Sequence, residues 1–308
     1  MKASIVLRIK NEAKTLDAVL RGVKAQDYSG EVEIIVVDSG STDDSLEIAK
    51  RHDCRIIEIK PEDFSWGYAL NLGAEKSGGE VVVYLSGHCI PVDNFWLKNL
   101  MESFSNEQAW GAYSRHVPIP CVDPFEAVEL IYLWFPPGDG TPVETKAFSN
   151  SASAIRKSAW KKIKFNEDIL MGEDADWALK AARAGGKIYY QPRSMVYHSH
   201  PPKLETVYRR WFWRCYAAKT TLPKTREGHI PYLLYKTASY FLLDLRRLWR
   251  VNKLRHFWRI PFYETVRQLG GYYGARAAMK GKKYKKWNDI DIPGFMEKFR
   301  SVIENICK

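Results

Sequence analysis

Asp38 closes the run Glu33-Ile-Ile-Val-Val-Asp38 and is followed by Ser-Gly-Ser41-Thr42-Asp43. The apolar part is expected to form a strand covered on both faces, and Ser41, Thr42 and Asp43 offer capping oxygens for a helix running through Lys50. Ligands of open α/β sheets gather beyond the carboxyl ends of the strands, so a carboxylate at this junction is expected to face a nucleotide-sized ligand. The blander reading is an ordinary strand-to-helix turn. A second group, Gly172-Glu173-Asp174-Ala-Asp176, puts three carboxylates at the start of a helix. Adjacent acids there can act as a general base with a positioning partner, or can simply complement the helix dipole. A third, Tyr84-Leu-Ser86-Gly87-His88-Cys89, ends a strand in polar residues. Gly87 would let backbone approach a ligand, and His88 could bond a ribose or phosphate, ligate a metal, or serve structure alone. A fourth, His198-Ser-His200, puts two imidazoles on one face of an extended segment, where they could hold a metal or a pyrophosphate.

Repeated β-α units are expected to position these groups. Strands are expected at Ser4 to Ile9, Glu33 to Val37, Arg55 to Ile59 and Glu80 to Leu85, with helices near Thr15 to Ala25, Ala69 to Lys76 and Asp93 to Phe104. Such alternation implies a mostly parallel sheet with right-handed crossovers. Between Gly111 and Asn150 the pattern loosens, with Pro118, Pro120, Pro124, Pro136, Pro137 and Pro142 interrupting it. Long irregular segments of this kind are more often functional than spare. Regularity returns at Ala152 to Lys161, in a helix from Asp174 to Ala184, and in a strand from Lys187 to Tyr190 that is expected to stop at Pro192.

The 308 residues carry a net charge of +11, which favours anionic partners such as nucleotide phosphates, lipid headgroups or nucleic acid. Five widely spaced cysteines with no C-x-x-C pair point to a reducing compartment. The opening Met1-Lys-Ala-Ser-Ile-Val-Leu runs straight into a strand, so no signal peptide or N-terminal anchor is expected, and no stretch approaches a membrane span. A cytoplasmic protein is expected, peripheral at the inner face of the cell membrane where its C-terminal part meets anionic lipid.

Taken in order, the pieces resemble the inverting glycosyltransferases of family 2 over roughly residues 3–200. The matching residues are Arg8-Ile-Lys-Asn11-Glu12, Val-Val-Asp38-Ser-Gly-Ser-Thr-Asp43 and Phe64-Ser-Trp-Gly67-Tyr-Ala-Leu-Asn71-Leu-Gly73. They continue with Leu85-Ser-Gly-His-Cys-Ile-Pro91, Phe148-Ser-Asn150-Ser-Ala-Ser-Ala-Ile-Arg156, Gly172-Glu173-Asp174 and Val196-Tyr-His198-Ser-His200. The resemblance implies a GT-A α/β fold, a Rossmann-like mostly parallel sheet with flanking helices, as a catalytic domain over 1–200, with a helical extension over 201–308. It also implies that Asp38 contacts the nucleoside, that Asn71 and its helix line the nucleotide-sugar pocket, and that Asn150 sits near donor and acceptor. Arg8, Asn11, Glu12, Ser41, Ser86, Gly87 and His88 would complete the donor site. Arg156 would face the acceptor side or the diphosphate, or equally lie on solvated surface. Asp174 would take the proton of an attacking acceptor hydroxyl, with Glu173 beside it, in a single displacement that inverts the anomeric carbon.

One departure stands out. Most members carry an Asp-x-Asp motif at the end of the fourth strand, where this chain has Ser86-Gly87-His88-Cys89 and no carboxylate before Asp93. Hard oxygen ligands suit Mg²⁺ and Mn²⁺, whereas imidazole is compatible with Mn²⁺ or another transition metal. Two expectations stay open. Either a divalent metal (Mn²⁺ or Mg²⁺) is held in part by His88 and His198, or the leaving diphosphate is neutralised by His88, His198, His200 or basic residues such as Arg209 and Arg210.

Residues 204–220 and 231–260 interleave aromatic, leucine and arginine residues at helical spacing, which suits either an interfacial membrane helix or a cap packed on the catalytic domain. Lys280, Lys282, Lys283, Lys285 and Lys286 form a basic cluster, by default a solvated charge run. The function expected is transfer of a sugar from a nucleotide donor to a glycan or lipid-linked acceptor in surface polysaccharide or glycoconjugate synthesis. The rivals are a sugar nucleotidyltransferase, for which the Gly-rich loop after the first strand is lacking, and a non-catalytic nucleotide-sugar or glycan-binding protein. Nucleic acid is not an expected partner, because no recognition module accompanies the charge.

Overall fold

The computed structural model describes residues 1–119, 122–200, 204–221, 224, 226–284 and 289–290. The chain runs β1 (Ala3–Ile9), α1 (Leu16–Lys24), β2 (Val32–Asp38), α2 (Ser45–Arg51), β3 (Arg55–Glu58), α3 (Trp66–Lys76), β4 (Val81–Ser86), β5 (Ile90–Pro91), α4 (Trp96–Glu102) and β6 (Ala109–Val117). It continues with α5 (Pro124–Glu129), β7 (Val143–Thr145), β8 (Ala152–Arg156), α6 (Lys157–Lys162), α7 (Glu173–Arg183), β9 (Lys187–Tyr197), α8 (Leu204–Thr221), α9 (Ile230–Arg250) and α10 (Ile260–Met279). Two compact units divide it. One comprises Met1–Ile119, Leu133–Ile169 and Glu173–Ser199, the other Pro120–Tyr132, Leu170–Gly172 and His200–Lys308.

The first unit is a nine-stranded sheet in the order β3-β2-β1-β4-β8-β6-β9-β5, with β7 paired to β9. β3, β2, β1 and β4 are parallel neighbours, β8 enters antiparallel to β4 and β6, and β6 is again parallel to β9. Leu16, Val19, Leu20 and Val23 lie three and four apart on α1 and bury against Ile5, Leu7, Val83 and Leu85 of the sheet. Each such side chain contributes about 1.5–3 kcal/mol when fully buried. β1 and β4 are almost wholly buried because both faces are covered, as the parallel α/β arrangement requires, with Ser4 and Arg8 of β1 the polar exceptions.

Among the elements that differ from the sequence-based expectation, two bear on the site. β6 starts at Ala109 and runs on through Val117, well into the stretch where the pattern loosens, because Ser114 and His116 interrupt its apolar alternation; Ser114 is nevertheless buried, accepting from Trp96 Nε1 at 3.0 Å. β9 does not stop at Pro192. The β6–β9 register jumps from Ser114↔Gln191 to Arg115↔Met195, so the proline sits in an irregularity where its missing N–H costs no ladder bond.

In the second unit α8 and α10 pack along their lengths. Gly270 and Gly274 permit the approach, since a Cβ on either would strike the backbone carbonyl of Tyr208 or Phe212. Glycine within a helix costs about 1 kcal/mol of intrinsic stability, a cost that close packing offsets here. Tyr208, Trp211, Phe212 and Trp213 of α8 are all buried, so this half of the aromatic C-terminal region is core and not an interfacial helix. Lys280, Lys282 and Lys283 are exposed, in keeping with a solvated run, whereas Lys285 and Lys286 lie outside the described residues.

Candidate active site at the carboxyl ends of the strands

β1, β2 and β4 end together on one edge of the sheet, and the loops that follow them are tied to one another. Asp38, the last residue of β2, is 1% exposed, and its Oδ2 accepts from the amides of Gly40 and Ser41, each at 2.9 Å. Its Oδ1 accepts from the Ser41 hydroxyl. Asn11 adopts a left-handed backbone conformation (φ 56°), donating its amide to Ser41 Oγ at 2.9 Å and accepting from the Thr42 amide at 2.7 Å. Asp38, Ser41 and Asn11 thus brace the loops after β1 and β2 into one rigid rim.

Arg8 on β1 is buried, pairs in register with Ser86, donates to the Asn150 carbonyl at 2.9 Å and lies 5.3 Å from the Trp66 ring centre. Asn150, at the mouth of β8, directs its amide toward Glu173 Oε1 at 3.4 Å. Glu173 and Asp174 occupy the first turn of α7, which begins directly after Gly172 in a left-handed conformation (φ 90°). Burial, and then the neighbouring Asp174, push the Glu173 carboxyl up to about 7, against the opposing pull of Arg8. Burial lowers the Arg8 guanidinium, while Glu173 and Asp174 sustain its charge. Asp174 is only half-buried, and its Oδ1 accepts from the amide of Ala175 at 2.8 Å. One acid is sunk among polar anchors and its neighbour stands at the surface of the same turn.

Where Asp-x-Asp was lacking in the sequence, a relay of imidazoles stands. Glu12 Oε1 lies 2.7 Å from His88 Nδ1, His88 Nε2 lies 3.2 Å from His198 Nε2, and His198 Nδ1 lies 2.8 Å from His116 Nδ1. The Gly87 amide donates to the Arg8 carbonyl at 3.1 Å, its own carbonyl accepts from Thr15 Oγ1 at 2.9 Å, and a Cβ there would sit 2.8 Å from Ile9 Cγ2 and 2.9 Å from Glu12 Cγ. Glycine at this position holds the His88 turn against β1. With Glu12 accepting from His88 and His198 donating to His116, both Nε2 lone pairs would face one spot. Two nitrogens bound cis to a metal at about 2.1 Å lie about 3.0–3.4 Å apart, so the 3.2 Å between them fits a shared cation, with Glu12 and His116 orienting the rings from behind. Asp93, the next carboxylate along, instead accepts from the Phe95 amide at 2.8 Å.

Two expected site residues spend their polar groups inside the fold. Asn71 is 5% exposed and its amide is fully engaged: it donates to the Phe165 carbonyl and Glu167 Oε1 and accepts from Trp160 Nε1 and the Phe165 amide. It shapes the segment leading to α7 and has no group left for a donor. Arg156 pairs with Val81, at the start of β4, about 16 Å along the strand from the Ser86 end. There it donates to the carbonyls of Phe104, Asn106 and Ala109. Arg209 and Arg210, named as diphosphate partners, are ion-paired within the second unit to Glu205 at 3.0 Å and Glu126 at 2.9 Å. His116 and Trp66 were not singled out from sequence. His116 gives no local signal, because only the β6–β9 pairing brings it to His198.

Residues 4–163 match the family model described as glycosyl transferase family 2. The O-antigen chain rhamnosyltransferase RfbN of Salmonella typhimurium is 26% identical over 223 residues, 69% of this chain and 71% of the relative. Among solved structures, the mannosyltransferase PcManGT from Pyrobaculum calidifontis, in complex with GDP-Man and Mn²⁺, superposes with a TM-score of 0.62 at 16% identity over 91% of this chain and 88% of its own. S. aureus TarS in complex with UDP gives 0.55 at 15% identity, covering 96% of this chain and 95% of its own. With a family model spanning more than half its residues, and with the GT-A sheet of those structures, this chain belongs to glycosyl transferase family 2 and is a glycosyltransferase.

Proposed function

We propose that the enzyme transfers a hexosyl or deoxyhexosyl group, with inversion, from a nucleoside-diphosphate donor to a hydroxyl of a glycan or lipid-linked acceptor in surface polysaccharide or glycoconjugate synthesis. It would work in the cytoplasm, at the inner face of the cell membrane. The observation that carries this reading is the pair Glu173 and Asp174 in the first turn of α7, anchored through Asn150 and Arg8 to the carboxyl edge of the sheet. Relatives named as an O-antigen rhamnosyltransferase and a mannosyltransferase with GDP-Man support the donor class.

Asp174, the more exposed acid, is assigned the proton of the acceptor hydroxyl as that oxygen attacks the anomeric carbon. Glu173, bonded by Asn150, stands beside it in the same turn, and the buried Arg8 guanidinium faces the charge of both acids. The braced rim of Asn11, Asp38 and Ser41 is assigned to the nucleoside. A divalent metal would be held by His88 and His198 through Nε2, and imidazole donors favour Mn²⁺ over Mg²⁺. Bound there, it would supply positive charge for the departing diphosphate.

Calorimetric titration with UDP, GDP, CDP, dTDP and their common sugars, with and without Mn²⁺ or Mg²⁺, tests the reading. One nucleotide series is expected to bind in wild type and to weaken in Asp38→Ala. Silence across the panel would remove the donor site. Binding with no turnover in the presence of glycan and lipid-linked acceptors would count against the acceptor class proposed here.

A further inference from the structure

Two long helices of the second unit share an aromatic and basic composition but not an environment. α8 buries its rings, whereas α9 turns Leu234, Tyr235, Leu242 and Trp249 outward at 65–67% exposure. With Ala238 and Leu245 these residues recur three and four apart, forming one stripe along a helix of 21 residues, about 30 Å. Exposed Leu243, Leu254 and Phe257 extend the apolar surface into the turn that follows. A contiguous apolar face of this kind marks an interaction site.

Charge selects the occupant. From Ile230 to Arg255 the single acid is Asp244, which is fully buried and paired with Arg247 at 3.0 Å. Arg246, Arg250, Lys253 and Arg255 are all exposed at the C-terminal end of the stripe. Leucine and aromatic side chains, an all-cationic rim and no exposed carboxylate match an anionic bilayer, whose phosphates lie above its hydrocarbon. No helix among the described residues is long and apolar enough to cross a membrane.

We propose that α9, with the turn through Arg255, is a membrane-docking helix. It lies in the headgroup layer of an anionic bilayer, with Leu234, Tyr235, Leu242 and Trp249 inserted and Arg246, Arg250, Lys253 and Arg255 on lipid phosphates. This rests on the reading of the enzyme as peripheral to a membrane that carries its acceptor, so lipid binding is measured apart from transfer.

The experiment is cosedimentation of the full chain with vesicles of phosphatidylcholine alone and of phosphatidylcholine mixed with phosphatidylglycerol. Wild type is expected on the mixed vesicles, less so at high salt. The triple substitution Leu234→Ser, Leu242→Ser and Trp249→Ser should cut partitioning by about a hundredfold or more, and Arg246→Ala with Arg250→Ala by about thirtyfold. All of these residues are exposed, so circular dichroism and donor binding should not change. Wild type absent from both vesicle types, or a triple variant that binds as well as wild type, would overturn the proposal. So would a dimer by light scattering that the triple variant dissolves, because that would make the face a contact between copies. Loss of donor binding in every protein, with lipid binding kept, would instead count against the transferase chemistry alone.

Discussion

Glu173 and Asp174 are neighbours in one helical turn, and burial separates their work. Asp174→Asn should lower turnover by roughly 10²–10⁴-fold with donor affinity kept, measured by nucleoside diphosphate release and by calorimetry. Glu173, held up to about 7, keeps its proton in the folded state at pH values where the unfolded chain, with an ordinary value of 4.5, has lost it. Its contribution to stability is therefore complete below about pH 4.5, falls as pH rises and is gone above about 7, a loss on the order of 3 kcal/mol. Glu173→Gln should flatten that slope in denaturation curves taken between pH 5 and about 8. A slope unchanged in the variant would place the titration elsewhere. The placement of the two acids, Asp38 and His88 at strand-to-loop or loop-to-helix junctions was legible in the sequence, whereas His198 was expected on an extended segment and stands instead just past the end of β9. His116 was not, since its neighbour in space is 82 residues away.

Strands and helices with clean periodicity, such as β1, α1, β2 and β4, were legible because covered parallel strands leave unbroken apolar runs and an amphipathic helix repeats every three to four residues. β6 was hidden by Ser114 and His116, whose burial depends on bonds to residues on other elements. The roles of Asn71 and Arg156 also turned on tertiary context: both match the family's residue types, and both spend their donors inside the fold. Asn71→Ala should accordingly destabilise by about 3 kcal/mol, by leaving the Trp160 indole and the Phe165 amide without their acceptor, with a smaller effect on donor affinity. Gly87→Ala should cost about 1–3 kcal/mol, because its methyl would press on Ile9 and Glu12, and it should disturb any metal response by displacing His88. Thermal melts paired with Mn²⁺ titration would check both variants.

Across the whole molecule, the charge of +11 conceals a buried ionic cluster in the second unit. Arg267 is fully buried, 2.5 Å from Glu264 and 3.3 Å from Glu129, and Asp244 is buried beside it at 3.6 Å. Burial, opposed by Arg267 and reinforced by Asp244, pushes the Glu264 carboxyl up to about 9, a shift that favours its protonation at neutral pH. Glu264→Gln should therefore be nearly neutral in stability at pH 7, whereas Arg267→Leu should cost about 3–5 kcal/mol by stranding acids without their cation. Equal losses from both would contradict that protonation. The measurement that bears most directly on the enzyme's chemistry is nucleoside diphosphate release from sugar nucleotides in the presence of glycan and lipid-linked acceptors, comparing wild type with Asp174→Asn. Wild type should release one nucleotide in an acceptor-dependent way and leave a product of inverted anomeric configuration, while Asp174→Asn binds the same donor and releases almost none. Full activity in Asp174→Asn, or a product of retained configuration, would contradict a single displacement driven from the first turn of α7.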